Sequence, residues 1–147
     1  MKILLHLSYL QTAQITDELF IKNNNRIELM SMDYGVDSPR EISIGHATGR
    51  RTHRPVWVKH LLSGVSTSIY NLVTKSEIFS SATIEFFNPE SGDDQWFFQM
   101  RLTNVSIQSI RQFTDDEGRL LEEFTLIFRT IEETHKDSKT VGNDSII

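Results

Sequence analysis

Three long runs of β-type sequence fill the second half of this chain and leave it few folds to choose from. Residues 82–87, 95–113 and 120–133 are rich in β-branched and aromatic side chains. The segments between them, 88–94 and 114–119, hold the proline, glycine and acids of hairpin loops. Strands joined that closely pair antiparallel. Aromatic residues recur along all three runs, as Phe86 and Phe87, then Trp96, Phe97 and Phe98, then Phe124 and Phe128. Neighbouring strand residues point to opposite faces, so Phe97 and Phe98 cannot share one core. One face makes the core, and the other meets a helix, another subunit or water. A bend is expected near Thr103 and Asn104, because the second run is long for a single strand.

The first half is less regular. Residues 2–9 read as an opening strand. Its apolar block Ile3, Leu4, Leu5 is broken by His6, Ser8 and Gln11, which is too short for a signal-peptide core. Asn23, Asn24 and Asn25 mark a turn, and residues 26–33 a strand of imperfect alternation through Ile27, Leu29, Met30 and Met32. Residues 34–51 carry three glycines, one proline and no period, a connection long enough to have a function. A strand follows over 55–62, with Val56 and Val58 facing away from Trp57 and Lys59. Val65, Ile69, Leu72 and Val73 then recur at helical spacing, with Ser66 or Thr67 as N-cap, in the one convincing helix. Residues 1–134 form a single domain on this reading, and 135–147 a loose polar tail.

Composition narrows the function. The 147 residues suit one domain able to bury about 68 to 70% of the surface of its unfolded chain. A net charge of -5 argues against duplex DNA as a partner. No run approaches the roughly 18 apolar residues of a membrane helix, so no membrane insertion is expected. Without cysteine there is no thiol nucleophile, thiolate metal site or disulfide.

Candidate chemistry fails on spacing. His46, His53 and His60 are seven residues apart, which on a strand puts neighbours on opposite faces, and no HExxH frames them. Asp115, Asp116 and Glu117, like Glu122 and Glu123, fall in or beside a turn, where solvation accounts for them. There is no GxSxG or SxxK, and Gly45 to Gly49 match no phosphate-binding loop. The aromatic set lacks the interleaved basic residues of a nucleic-acid platform. No catalytic residue, cofactor or metal is expected. The basic run Arg50, Arg51, His53, Arg54 is the one local charge anomaly, readable as the solvated rim of a strand or as a face for the acidic turn of another copy.

Residues 49–73, GRRTHRPVWVKHLLSGVSTSIYNLV, are where the chain becomes recognisable. Gly49, the triplet His53, Arg54, Pro55, and Tyr70 with Asn71 on the helix resemble the haemolysin-coregulated protein (Hcp) family of type VI secretion. The likeness continues through residues 81–86 and through FRTIEETH, with Arg129 and the closing His135. Two departures stand out: residues 11–22 contain no glycine, and Glu133 stands where an aromatic is common in the family.

The resemblance implies a mainly β fold, a compact barrel of two packed antiparallel sheets with one short flanking helix, akin to phage tail-tube proteins. It also implies a non-enzymatic role. Hexameric rings would stack into an inner tube, driven by a contractile sheath, capped by a valine-glycine-repeat spike and carrying effectors. The protein would be made in the bacterial cytoplasm and exported through the apparatus without a signal peptide. On that picture Tyr34, Gly35, Arg50 and Arg51 belong to a ring-stacking loop that meets Asp115, Asp116 and Glu117 of the next ring. The alternatives are a tube from a related phage-like contractile tail and a monomeric β-barrel binding module.

Overall fold

The computed structural model describes residues 1–11, 15–40, 51–89 and 95–146. The elements are β1 (Lys2–Leu7), a 3-10 turn (Ser8–Gln11), α1 (Glu18–Lys22), β2 (Ile27–Leu29), β3 (Ser31–Asp33), β4 (Val36–Asp37) and β5 (Thr52–His53). They continue with β6 (Val56–Leu61), α2 (Ser66–Thr74), β7 (Phe79–Phe87), β8 (Trp96–Thr114), β9 (Leu120–Ile127), β10 (Thr130–His135) and β11 (Thr140–Ser145).

One bent hairpin organises the molecule. The first part of β8 pairs with β7 and β10, and the part beyond Asn104 pairs with β9. Asn104 takes a positive φ of 50°, a conformation that asparagine tolerates better than most residues, and the strand turns there as expected from the sequence. The partner must break opposite the bend. It does so at Phe128 and Arg129, where the Arg129 N–H donates to the Thr103 carbonyl at 2.9 Å. Residues 120–133, readable as one strand, are therefore divided into β9 and β10.

The bend sorts the strands into two antiparallel sheets. One runs β2-β1-β7-β8-β10-β11, the other β8-β9-β6-β3. They share β8 at one corner. At the other, β2 and β3 are separated by Met30 alone, whose N–H donates to the Lys59 carbonyl at 2.8 Å. This joins the two sheets at a second corner and explains the imperfect alternation of 26–33. Ile27 and Leu29 are buried in the first sheet, Met30 turns outward, and the chain resumes with new partners.

Alternation elsewhere sets the core. Val56 and Val58 of β6, Ala82 and Ile84 of β7, and Leu126 of β9 are fully buried. Val65, Ile69 and Leu72 of α2 are buried with them, as the helical stripe requires. The cap differs from expectation. Val65 is the N-cap and contributes no side-chain bond, while the Ser66 hydroxyl, one residue inside the helix, accepts the Ser63 N–H at 3.1 Å.

Three sequence readings are corrected. A second helix, α1, precedes the asparagine turn, its N-terminus capped by Asp17, which accepts the Phe20 N–H at 2.9 Å. The same carboxylate accepts the Gly64 N–H at 3.0 Å, so α1 is pinned to the loop before α2. Those bonds hold the Asp17 carboxyl below its ordinary value. The polar stretch 135–147 is not a loose tail, since residues 140–145 form β11, paired along its whole length with β10. Backbone hydrogen bonding does not need apolar side chains, and composition alone misses such a strand. Finally, Glu122 and His60 are not solvated turn or strand-end residues. They lie opposite each other on β9 and β6, facing inward, with His60 Nε2 and Glu122 Oε1 2.8 Å apart and Gln112 donating to the other oxygen at 2.8 Å.

Candidate assembly site

The irregular segment after β3 leaves and rejoins the barrel at one place. β4 and β5 pair as a two-stranded ribbon, Val36 opposite His53 and Asp37 opposite Thr52, and the Arg54 N–H donates to the Gly35 carbonyl at 2.9 Å. Tyr34 stacks on His53, their rings 6.1 Å apart and nearly parallel, and both meet Phe128 edge-on where β9 breaks from β10. The Arg54 guanidinium lies over Gly35, and a Cβ there would displace it.

Polar contacts run outward from this aromatic cluster. The Tyr34 hydroxyl lies 2.6 Å from His53 Nδ1, and His53 Nε2 lies 2.7 Å from Asp144 of β11. A neutral ring protonated on Nε2 satisfies both, donating to the carboxylate and accepting the tyrosine proton. Arg51 donates twice to Asp144, at 2.8 and 2.9 Å. These bonds, Arg51 first and then His53, hold the Asp144 carboxyl far below the usual aspartate range. Burial, followed by the charges of Glu133 and Asp144, raises the Tyr34 hydroxyl above its ordinary value.

The acidic turn is built at the other end of β6. Asp115 Oδ1 accepts the N–H groups of Glu117 and Arg119, and the Arg119 side chain closes back on Asp115 at 2.8 Å. Gly118 supplies the positive φ of 77° that the turn needs. These bonds, the Arg119 amide foremost, lower the Asp115 carboxyl. Asp116 and Glu117 point to solvent. From His53 to Leu61 the chain advances about 26 Å at strand rise, so the loop base and this turn do not meet within one chain. The described partner of Arg51 is Asp144, which the sequence reading missed because Asp144 lay in the supposed tail. Gly49 and Arg50 lie outside the described residues.

The remaining motif residues are structural or superficial. Pro55 enters β6, and Tyr70 and Asn71 sit on the exposed side of α2. Arg129 occupies the break between β9 and β10, its carbonyl accepting the Ile146 N–H at 2.7 Å. His135 Nδ1 accepts the Ser138 N–H in the turn to β11, its ring edge-on to Phe97 and Phe98.

Among the described residues of the two sheets, β2, β3, β11 and the part of β8 beyond Val105 each have a ladder partner on one side only. Near the Met30 corner a groove of about 230 Å³ is lined by Met1, Leu19, Met30 and Leu61, and the last three are 52, 38 and 47% exposed. Among the described residues no group of three or more histidines and carboxylates is placed to hold a metal, and no helix is long and apolar enough to cross a membrane.

The described residues thus form two packed antiparallel sheets with one-sided strand edges, exposed apolar side chains and a clamped irregular segment. The family model described as type VI secretion system effector, Hcp, matches residues 9–135. The chain belongs to that family of type VI secretion tube proteins. It is similar to the "Major exported protein" of Pseudomonas aeruginosa, at 23% identity over 130 residues, covering 83% of this chain and 76% of that one. The fold matches a solved Hcp protein with a TM-score of 0.81 at 22% identity, covering 99% of this chain and 98% of that one. It also matches the secreted protein Hcp3 of Pseudomonas aeruginosa, with a TM-score of 0.76 at 17% identity over 99 and 98% of the two chains. Hcp1 of the E. coli EAEC 042 pathovar gives 0.78 at 22% identity over 98 and 96%.

Proposed function

We propose that this protein is a subunit of the inner tube of a type VI secretion apparatus, assembling as hexameric rings that stack and carry effectors. The observation that carries the reading is the set of strand edges with a ladder partner on one side only, in a fold of this family. Unpaired edges invite pairing with another chain, and a cyclic head-to-tail array satisfies them without leaving free ends. The partly exposed Leu19, Met30 and Leu61 support the same surface use. In the cell the partners are other copies, the contractile sheath, a valine-glycine-repeat spike and the effectors. The protein leaves the cytoplasm through the apparatus and performs no bond chemistry.

Stacking is assigned to the segment 34–51 and to the acidic turn. Their positions at opposite ends of β6 suit contact between successive rings. Native mass spectrometry and negative-stain images over a range of concentrations test the ring, and a clean monomer throughout refutes it. Charge reversal of Asp116 and Glu117 tests stacking. Tubes should shorten at low salt while rings persist, since exposed pairs are weak singly but repeat around the axis.

A further inference from the structure

The contacts around Asp144 converge more than a solvated aspartate requires. One carboxylate on the last strand receives both Arg51 donors and His53, and His53 passes the connection on to Tyr34. Tyr34 follows β3, while Arg51 and His53 lie at the return of the chain, so the contacts take in both ends of the segment between them. The β4–β5 ribbon ties those ends to each other, through the Gly35–Arg54 bond and two residue pairs, but among the described residues makes no ladder with either sheet. Among the described residues its attachment to the barrel runs through the Tyr34–His53–Phe128 cluster and through Asp144. A groove of about 470 Å³ between the ribbon and the β10–β11 hairpin, lined by Val36, Ile131 and Gly142 among others, shows that they are not packed face to face. Among the described residues β11 in turn has a ladder partner on one side only, and its residues other than Asp144 are exposed.

We propose that Asp144 is the positioning residue for residues 34–37 and 51–53, fixing through Arg51 and His53 the direction in which these two stretches leave the barrel. This makes the C-terminal strand a control on ring stacking, a consequence that rests on the assignment of stacking to residues 34–51. Arg51 then acts within its own chain, and a signal at β11, such as a partner that draws the strand away or loss of the last residues, reaches the stacking surface with no change in the barrel core.

The test is amide hydrogen exchange on intact rings of the wild type, Asp144→Ala, Asp144→Glu and Arg51→Ala, with tube length measured by electron microscopy on the same samples. In Asp144→Ala and Arg51→Ala, amides of 34–37 and 52–54 should exchange about tenfold faster while those of β1, β7 and β9 hold their protection. Asp144→Glu keeps the charge and should restore most of that protection, which a purely steric role would not allow. Unchanged exchange in both alanine variants overturns the proposal. So does dissolution of rings by Asp144→Ala, which would place Asp144 in the lateral contact. Faster local exchange with normal tubes upholds the positioning role and refutes the stacking role of 34–51. Faster exchange with short tubes upholds both.

Discussion

Replacing His60 with leucine takes from Glu122 the ionisable partner of a carboxylate with no exposed surface. Imidazole and isobutyl groups are similar in size, so little cavity forms and the loss reports on polarity. Breaking a buried ion pair from one side costs about 3 to 5 kcal/mol. Gln112 still donates to Glu122 at 2.8 Å, which places the change near the low end, about 3 kcal/mol. Glu122→Leu leaves the buried His60 ring without its hydrogen-bond partner, a penalty of about 1 to 3 kcal/mol. The double variant leaves an apolar pair of nearly native volume and should return close to wild type. Urea unfolding at fixed protomer concentration, followed by the fluorescence of Trp57 and Trp96, measures all four proteins. A coupling of about 2 kcal/mol or more is expected. Additive losses in the double variant would show that the pair is not coupled and that shape at these positions matters instead.

Leu72→Ala, on the fully buried stripe of α2, should cost about 2 to 5 kcal/mol, read as a fall in Tm. Asn104→Ala should cost about 1 to 2 kcal/mol because alanine resists positive φ, whereas Asn104→Gly should match wild type in the same unfolding assay. The folded-state carboxyls of Asp17, Asp115 and Asp144 all lie below the ordinary aspartate value of 3.8. Their contribution is therefore complete above that value and is lost as pH falls through the lower folded values. Denaturation midpoints should stay level down to about pH 5 and drop below pH 4, and each of Asp17→Asn, Asp115→Asn and Asp144→Asn should flatten that drop.

Most of the β framework was legible because its signals are local. Val56 and Val58 show their alternation directly, and the stripe Val65, Ile69, Leu72 shows its helical period. The bend at Asn104 was legible from strand length and residue type. What stayed hidden depended on partners far away in sequence. The division of 120–133 is imposed by the bend in β8, and β11 exists because β10 offers its edge. Glu122 carries the same acidic signal as Glu123, yet the pleat buries one and leaves the other near the surface. A strand phase drawn through Glu122, Phe124 and Leu126 would have flagged it. In the candidate assembly site, the sequence picked out Tyr34, Arg51 and His53 but not Asp144, 91 residues beyond His53. A five-residue helix such as α1 is too short for periodicity to register.

The single-residue joint at Met30 sets the kind of change this barrel can absorb. β2 is phased by β1 and β3 by β6, so removing or adding one residue between them would turn one strand's inward side chains to the outside. Asn104 and the facing break at Phe128 and Arg129 impose a similar match in length at the opposite corner. Substitutions meet no such barrier, because an inward position accepts many apolar side chains of suitable volume. Divergence can therefore replace about four residues in five while the trace stays superimposable, as the TM-score of 0.81 at 22% identity illustrates. Insertions are driven away from both corners and into the connections between strands.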